Sequence, residues 1–186
     1  MFIQTEATPN PATLKFLPGQ PVLSSGVREF RDQDDAEQAS PLAARLFAVD
    51  GVTGVFLGSD FISVTKGDGE WQHLKPAVLG AIMEHYLSGD PVLMDDAASE
   101  SAEGGDYSAE DAEVVATIKE LIDTRVRPAV ANDGGDIVFH GFRDGTVYLK
   151  MRGACSGCPS STATLRHGIE NLLRHFVPEV QEVQQI

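Results

Sequence analysis

The sequence predicts an α/β (α+β) chain of two small domains, each a short β-sheet packed with helices, joined by a flexible acidic linker. Three observations lead there. The 186 residues are 42% apolar, enough for one or two cores of modest size. Residues 95–109, Asp-Asp-Ala-Ala-Ser-Glu-Ser-Ala-Glu-Gly-Gly-Asp-Tyr-Ser-Ala, combine charge, small residues and a Gly-Gly pair with almost nothing that could pack. On either side of them, segments with the period of a strand give way to segments with the period of a helix. The expected division is a domain over 1–90, a linker over 91–108 and a second domain over 109–186.

In the first domain, Phe2–Glu6 and Thr13–Leu17 read as strands separated by Thr8-Pro9-Asn10-Pro11, whose prolines and asparagine favour a turn. Ser40 then N-caps a helix with Pro41 at its first position and Leu42, Leu46 and Phe47 on one face. Val52–Leu57 and Phe61–Thr65 form a hairpin around Gly58-Ser59-Asp60, and a helix from about Pro76 to Leu87 closes a sheet covered on one face. The second domain opens at Ser108-Ala109-Glu110-Asp111, which has the form of a capping box, followed by Val114, Val115, Ile118, Leu121 and Ile122 at helical spacing. Pro128 limits or kinks that helix. Asp136–Phe142 and Thr146–Met151 are strands joined at Arg143-Asp144-Gly145, and Ile169, Leu172, Leu173 and Phe176 mark a last amphipathic helix beginning near Pro159 to Thr162.

Charge narrows the partners. Fourteen basic and 28 acidic residues leave a net charge of −14, which repels nucleic-acid phosphates and anionic membrane surfaces alike. Neither nucleic acid nor a membrane is expected as a partner. No apolar run approaches the ~20 residues that cross a bilayer. The opening Met1-Phe2-Ile3-Gln4-Thr5-Glu6 lacks the basic head and apolar run of a signal peptide, and no arginine-rich transit peptide is evident. The expected location is the bacterial cytoplasm, or the mitochondrial matrix for a processed eukaryotic relative.

Chemistry concentrates at the two cysteines. Gly153-Ala154-Cys155-Ser156-Gly157-Cys158-Pro159 places a CxxC in a glycine-rich loop directly ahead of a helix. There, unpaired N–H groups and the positive end of the helix dipole favour thiolate over thiol. CxxC alone also occurs in thioredoxin-like redox sites and in halves of zinc sites. A cubane cluster or a tetrathiolate zinc site needs about four ligands, and one chain supplies two. A second copy, related by a two-fold axis, would complete the set from Cys155 and Cys158 of each subunit. Such a site, near solvent and across a small interface, would release its metal easily. Three readings stand on the residues: a cluster carrier, a thiol-disulfide oxidoreductase and a zinc-linked dimer. A reduced, unligated pair that merely caps the helix is the plain alternative to all three.

The run Gly153 to Thr162, with Leu165, Gly168-Ile169-Glu170 and Val177-Pro178-Glu179-Val180, resembles the C-terminal domain of NifU found in Nfu proteins. Arg127-Pro128 and Asp133-Gly134-Gly135-Asp136 share that pattern. Phe2 to Phe16, Arg45-Leu46-Phe47 and Gly54-Val55-Phe56 resemble the N-terminal domain that accompanies it. The resemblance implies a scaffold or carrier, not an enzyme, that assembles a labile 4Fe-4S cluster or delivers it. Cys155 and Cys158 would be the metal and cofactor ligands. The implied partners are a second copy in the cluster-bound homodimer, a cluster donor and recipient iron-sulfur apoproteins.

Other residues have simpler readings. Asp133-Gly134-Gly135-Asp136 reads as a turn that shapes the loop near the cysteines rather than as a cation site. His167 falls about two turns beyond Cys158 and suits a surface or packing role. His73, His85, His140 and His175 form no metal-binding spacing. Arg152 and Arg166 flank the cysteines and either offset the charge of a thiolate-bound cluster or are simply solvated. The first domain has no cysteine and no convergent acid, base and nucleophile, so recognition of partner proteins is the function expected of it.

Overall fold

The computed structural model describes residues 1–94, 105–154 and 159–186, with the side chains of the last segment described from residue 163 onward. The chain divides into two compact units, Met1–Ser101 and Ala102–Ile186. Of the expected linker 91–108, residues 95–104 lie outside the described residues.

The first unit holds strands β1 (Gln4–Ala7), β2 (Thr13–Leu17), β3 (Arg28–Phe30), β4 (Val52–Leu57) and β5 (Ile62–Lys66), with helices α1 (Gln33–Ala39), α2 (Pro41–Phe47) and α3 (Trp71–Ser88). The sheet runs β1-β2-β5-β4-β3, every neighbouring pair antiparallel. The β1–β2 turn is held as its residues suggest, with the Asn10 side-chain oxygen accepting from the Ala12 N–H at 3.0 Å. Phe16, Val55, Leu57, Ile62 and Val64 pack on Ala36, Leu42, Leu46, Val78 and Ile82, so alternate residues of the strands face the helices.

Three features depart from expectation. Helix α1 and strand β3 have no clear apolar period; α1 buries only Ala36 and Ala39 and is started by Asp32, whose carboxylate accepts the Asp35 N–H. Helix α3 begins at Trp71, not Pro76. Burial of Leu74 and Val78 draws an extra turn of helix ahead of the proline, and the missing N–H is tolerated on the exposed side.

The second unit contains α4 (Ala112–Leu121), α5 (Arg127–Asn132), β6 (Gly135–Arg143), β7 (Thr146–Gly153), α6 (Pro159–Phe176) and β8 (Glu182–Gln185). A 3-10 turn over Ala109–Asp111 precedes α4, and the Ser108 hydroxyl bonds the Asp111 carboxylate at 2.7 Å instead of capping an N–H. Between α4 and α5 the helix widens into a π-turn over Ile122–Val126, closed by the Arg127 N–H bonding the Ile122 carbonyl. Pro128 therefore does not end the helical path: it stands in the first turn of α5, directly after the wider turn, which relieves the clash its ring would make four residues back.

β6 and β7 form the expected hairpin, with Asp144 at φ 50° and Gly145 at φ 79°, the geometry favoured by Asp-Gly. β8, unforeseen from the sequence, pairs parallel to β7 and makes β7 the centre of a β6-β7-β8 sheet. Val115, Ile118, Ile122, Val130, Ile137, Leu149, Ile169, Leu173 and Val183 share one core. At the two ends of the undescribed stretch, Val92 accepts the Ser40 hydroxyl through its carbonyl, while Asp106 bridges to Gly141 beside β6.

Candidate metal-binding loop

The β7–α6–β8 succession is a parallel strand, a helix and a second parallel strand. In such a unit the loop at the carboxyl end of the first strand is the usual position for a binding site. Cys155 and Cys158 fall in that loop. They lie outside the described residues, as do Ser156 and Gly157, but the residues on either side are defined.

On the strand side, the last rungs of the β6–β7 ladder pair Asp136 with Arg152 and Gly135 with Gly153. Gly153 takes φ 66°, a left-handed turn out of the strand that a side chain would resist. Ala154 follows, 1% exposed, with its N–H bonded to the Gly134 carbonyl at 3.3 Å. On the helix side, Pro159 opens the 18-residue α6. Four residues thus connect a pinned strand end to the N-terminus of a long helix, where orphan N–H groups and the helix dipole favour anionic ligands.

Asp133-Gly134-Gly135-Asp136 is a turn, as the sequence suggests. Asp133 ends α5, Gly134 at φ 81° reverses the chain, and the Asp133 and Gly134 N–H groups bond Val130 and Ala131 carbonyls. Its last member is not a surface carboxylate. Asp136 is 4% exposed and accepts a two-pronged pair from Arg127, Nε to Oδ1 at 2.9 Å and Nη2 to Oδ2 at 3.1 Å. Arg127 also reaches the exposed Asp123 through Nη1 at 3.3 Å. The bonds it donates to the Asp136 carboxylate hold the guanidinium above its ordinary range, against the opposing effect of burial.

The remaining candidates are dispersed. Arg152 is half-buried at the end of β7, directly across from Asp136, and Arg166 is half-buried on α6. His167 is exposed on α6, and His73, His140 and His175 are also exposed. His85 is fully buried on α3 of the other unit, with neither ring nitrogen hydrogen-bonded. Its pKa is lowered by burial first and by the nearby Arg45 second, with Asp90 acting the other way. Among the described residues no three His, Cys, Asp or Glu side chains converge to hold a metal ion. No described helix is long and apolar enough to cross a membrane. The Arg127–Asp136 pair was hidden in the sequence: its members stand nine positions apart, across a π-turn that no local pattern announces.

These features define a class of protein, a two-unit α+β chain whose only cysteines sit in a short loop between a central strand and a long helix. Residues 3–89 match the family described as scaffold protein Nfu/NifU N terminal, and residues 118–184 match the NifU-like domain. The chain belongs to the Nfu/NifU-like family. It is 51% identical to NifU-like protein 4, mitochondrial, of Arabidopsis thaliana over all of this chain and 66% of that protein. It is 50% identical to NFU1 iron-sulfur cluster scaffold homolog, mitochondrial, of Homo sapiens, over 100% of this chain and 72% of the human protein. The chain spans about two thirds of the length of these curated relatives. A solution structure of a NifU-like protein from Saccharomyces cerevisiae aligns with 52% of this chain and 87% of its own at 26% identity and a TM-score of 0.46.

Proposed function

We propose that this chain is an iron-sulfur cluster scaffold and carrier that holds a labile 4Fe-4S cluster between two subunits, through Cys155 and Cys158 of each, and delivers it to recipient apoproteins. The observation that carries the reading is the position of the chain's two cysteines, between the pinned Ala154 and the first residue of α6. The family membership and the names of the relatives support the same cargo. A cubane held by cysteine needs about four thiolates, so two copies of a two-thiol loop meet the requirement that one copy cannot.

Delivery is ligand exchange: recipient thiolates replace those of Cys155 and Cys158 at iron, and the released cysteines take up protons, with no net electron transfer. No enzymatic step is required. Domains 1–90 and 109–186 are joined in this reading by a tether over 91–108, fastened at Val92 to the first unit and at Asp106 to the second, whose small acidic residues in between suit a spacer that lets the cluster domain reach donor and recipient. The first domain serves partner recognition. The setting is the bacterial cytoplasm, or the mitochondrial matrix for a eukaryotic relative.

The test is anaerobic reconstitution with iron and sulfide, followed by iron counting and size determination of the wild type beside Cys155→Ala and Cys158→Ala. About four irons per dimer in the wild type and none in either variant is the expected result. A colourless protein with about one zinc per dimer, or a metal-free chain that reduces insulin disulfides, would overturn it.

A further inference from the structure

We infer that Arg127 and Asp136 are positioning residues for the cysteine loop: their two-pronged pair clamps the strand end from which Cys155 departs, and so sets how long a cluster is retained. The chain of contacts is short. Asp136 is the second residue of β6, buried, and fastened to Arg127 through both carboxylate oxygens at 2.9 and 3.1 Å. Its backbone pairs with Arg152, and the neighbouring Gly135 pairs with Gly153. Gly134, one residue earlier, accepts the Ala154 N–H, and Cys155 is the next residue. Whatever fixes Asp136 therefore fixes the end of β7.

The π-turn gives Arg127 its place. An extra residue in one turn advances the phase of everything after it by about 100°. The Arg127 N–H closes that turn on Ile122, whose side chain belongs to the same core as Ile137 of β6. The guanidinium is thus carried by a helix rooted in the core, and its planar fork transmits orientation as well as charge. A carboxylate with this burial and no partner would be costly, yet the fold provides the partner from α5, which packs against β6, the strand paired with the one that leads to the thiols. Outer residues that orient metal ligands without touching the metal commonly govern affinity in this way.

The consequence for retention rests on the carrier reading; the clamping of the strand end does not. Asp136→Asn and Arg127→Lys each weaken the fork while keeping a hydrogen-bonding group at both positions, and Asp123→Asn, which weakens only the exposed side bond of Arg127, is the control. In the metal-free full chain, hydrogen exchange at the Ala154 amide is expected to rise about tenfold more than at the core amide of Leu149. In the reconstituted dimer, loss of iron to a ferrous chelator is expected to speed up about tenfold in both variants and to be unchanged in Asp123→Asn. Equal acceleration at Ala154 and Leu149 would make the pair a general stabiliser and overturn the inference. Unchanged retention in well-folded variants would overturn it as well. If the wild type takes up no iron and sulfide, the carrier reading fails, and the exchange pattern alone decides whether the clamp exists.

Discussion

Two side chains show how burial converts chemistry into stability. Removing either member of the Arg127–Asp136 pair breaks the two bonds between them, but the outcomes differ because Asp136 is buried and Arg127 is about one-third exposed. Arg127→Gln strands a buried carboxylate and is expected to cost about 3–5 kcal/mol. Asp136→Asn leaves a guanidinium that reaches water and should cost less, about 1.5–3 kcal/mol. Urea denaturation of the two variants measures the difference, and equal losses would contradict it. His85 sets a second asymmetry, this time with pH. Its folded pKa is held below the ordinary 6.5 by burial, so the unfolded chain takes up a proton first as pH falls. The stability it allows is complete above about pH 6.5 and is lost progressively below it. The melting temperature of the first unit should therefore drop more steeply between about pH 6.5 and 5 in the wild type than in His85→Phe. Parallel curves would show that the imidazole is not the titrating group.

At the scale of single elements, capping and edge pairing make the sharpest claims. Ser40 ends α1 and starts α2: its hydroxyl oxygen accepts the Ala43 N–H at 3.0 Å and donates to the Val92 carbonyl at 2.5 Å. Ser40→Ala removes a cap and leaves a carbonyl unpaired, and is expected to cost the first unit about 1–2 kcal/mol by thermal or chemical melting. Strand β8 holds the other edge. Val183, 1% exposed, completes the core of the second unit, and its N–H bonds a Glu170 carboxylate oxygen at 3.3 Å. Truncation after Gln181 should destabilise that unit by about 1.5–3 kcal/mol through lost burial of Val183 alone. It also bares one side of β7, so aggregation should increase in light scattering. The elements legible in the sequence were those with local signals: the Ser40-Pro41 cap, the Asp144-Gly145 hairpin and the apolar period of α6. α1 buries only two alanines, β3 has three residues, and β8 has one buried side chain, so each owes its form to what it packs against.

For the whole molecule, two cores that share no residue predict two folding units. Residues 1–94 and 105–186 expressed separately are each expected to melt cooperatively, and scanning calorimetry of the full chain should resolve into two transitions. Failure of either fragment to fold would contradict that. Local order in the sequence by itself determined the two-unit α+β plan, the net charge of −14, and the position of Cys155 and Cys158 ahead of α6. Those features depend on composition, on periods of two and 3.6 residues, and on a motif spaced by two positions, all of which survive in a one-dimensional string. Tertiary structure alone decided that β8 returns parallel to β7, that α3 reaches back past Pro76 to Trp71, and that Arg127 meets Asp136 across a π-turn. Each of these depends on burying side chains or charges between elements, and the energy of burial is set by neighbours in space that sequence order does not name.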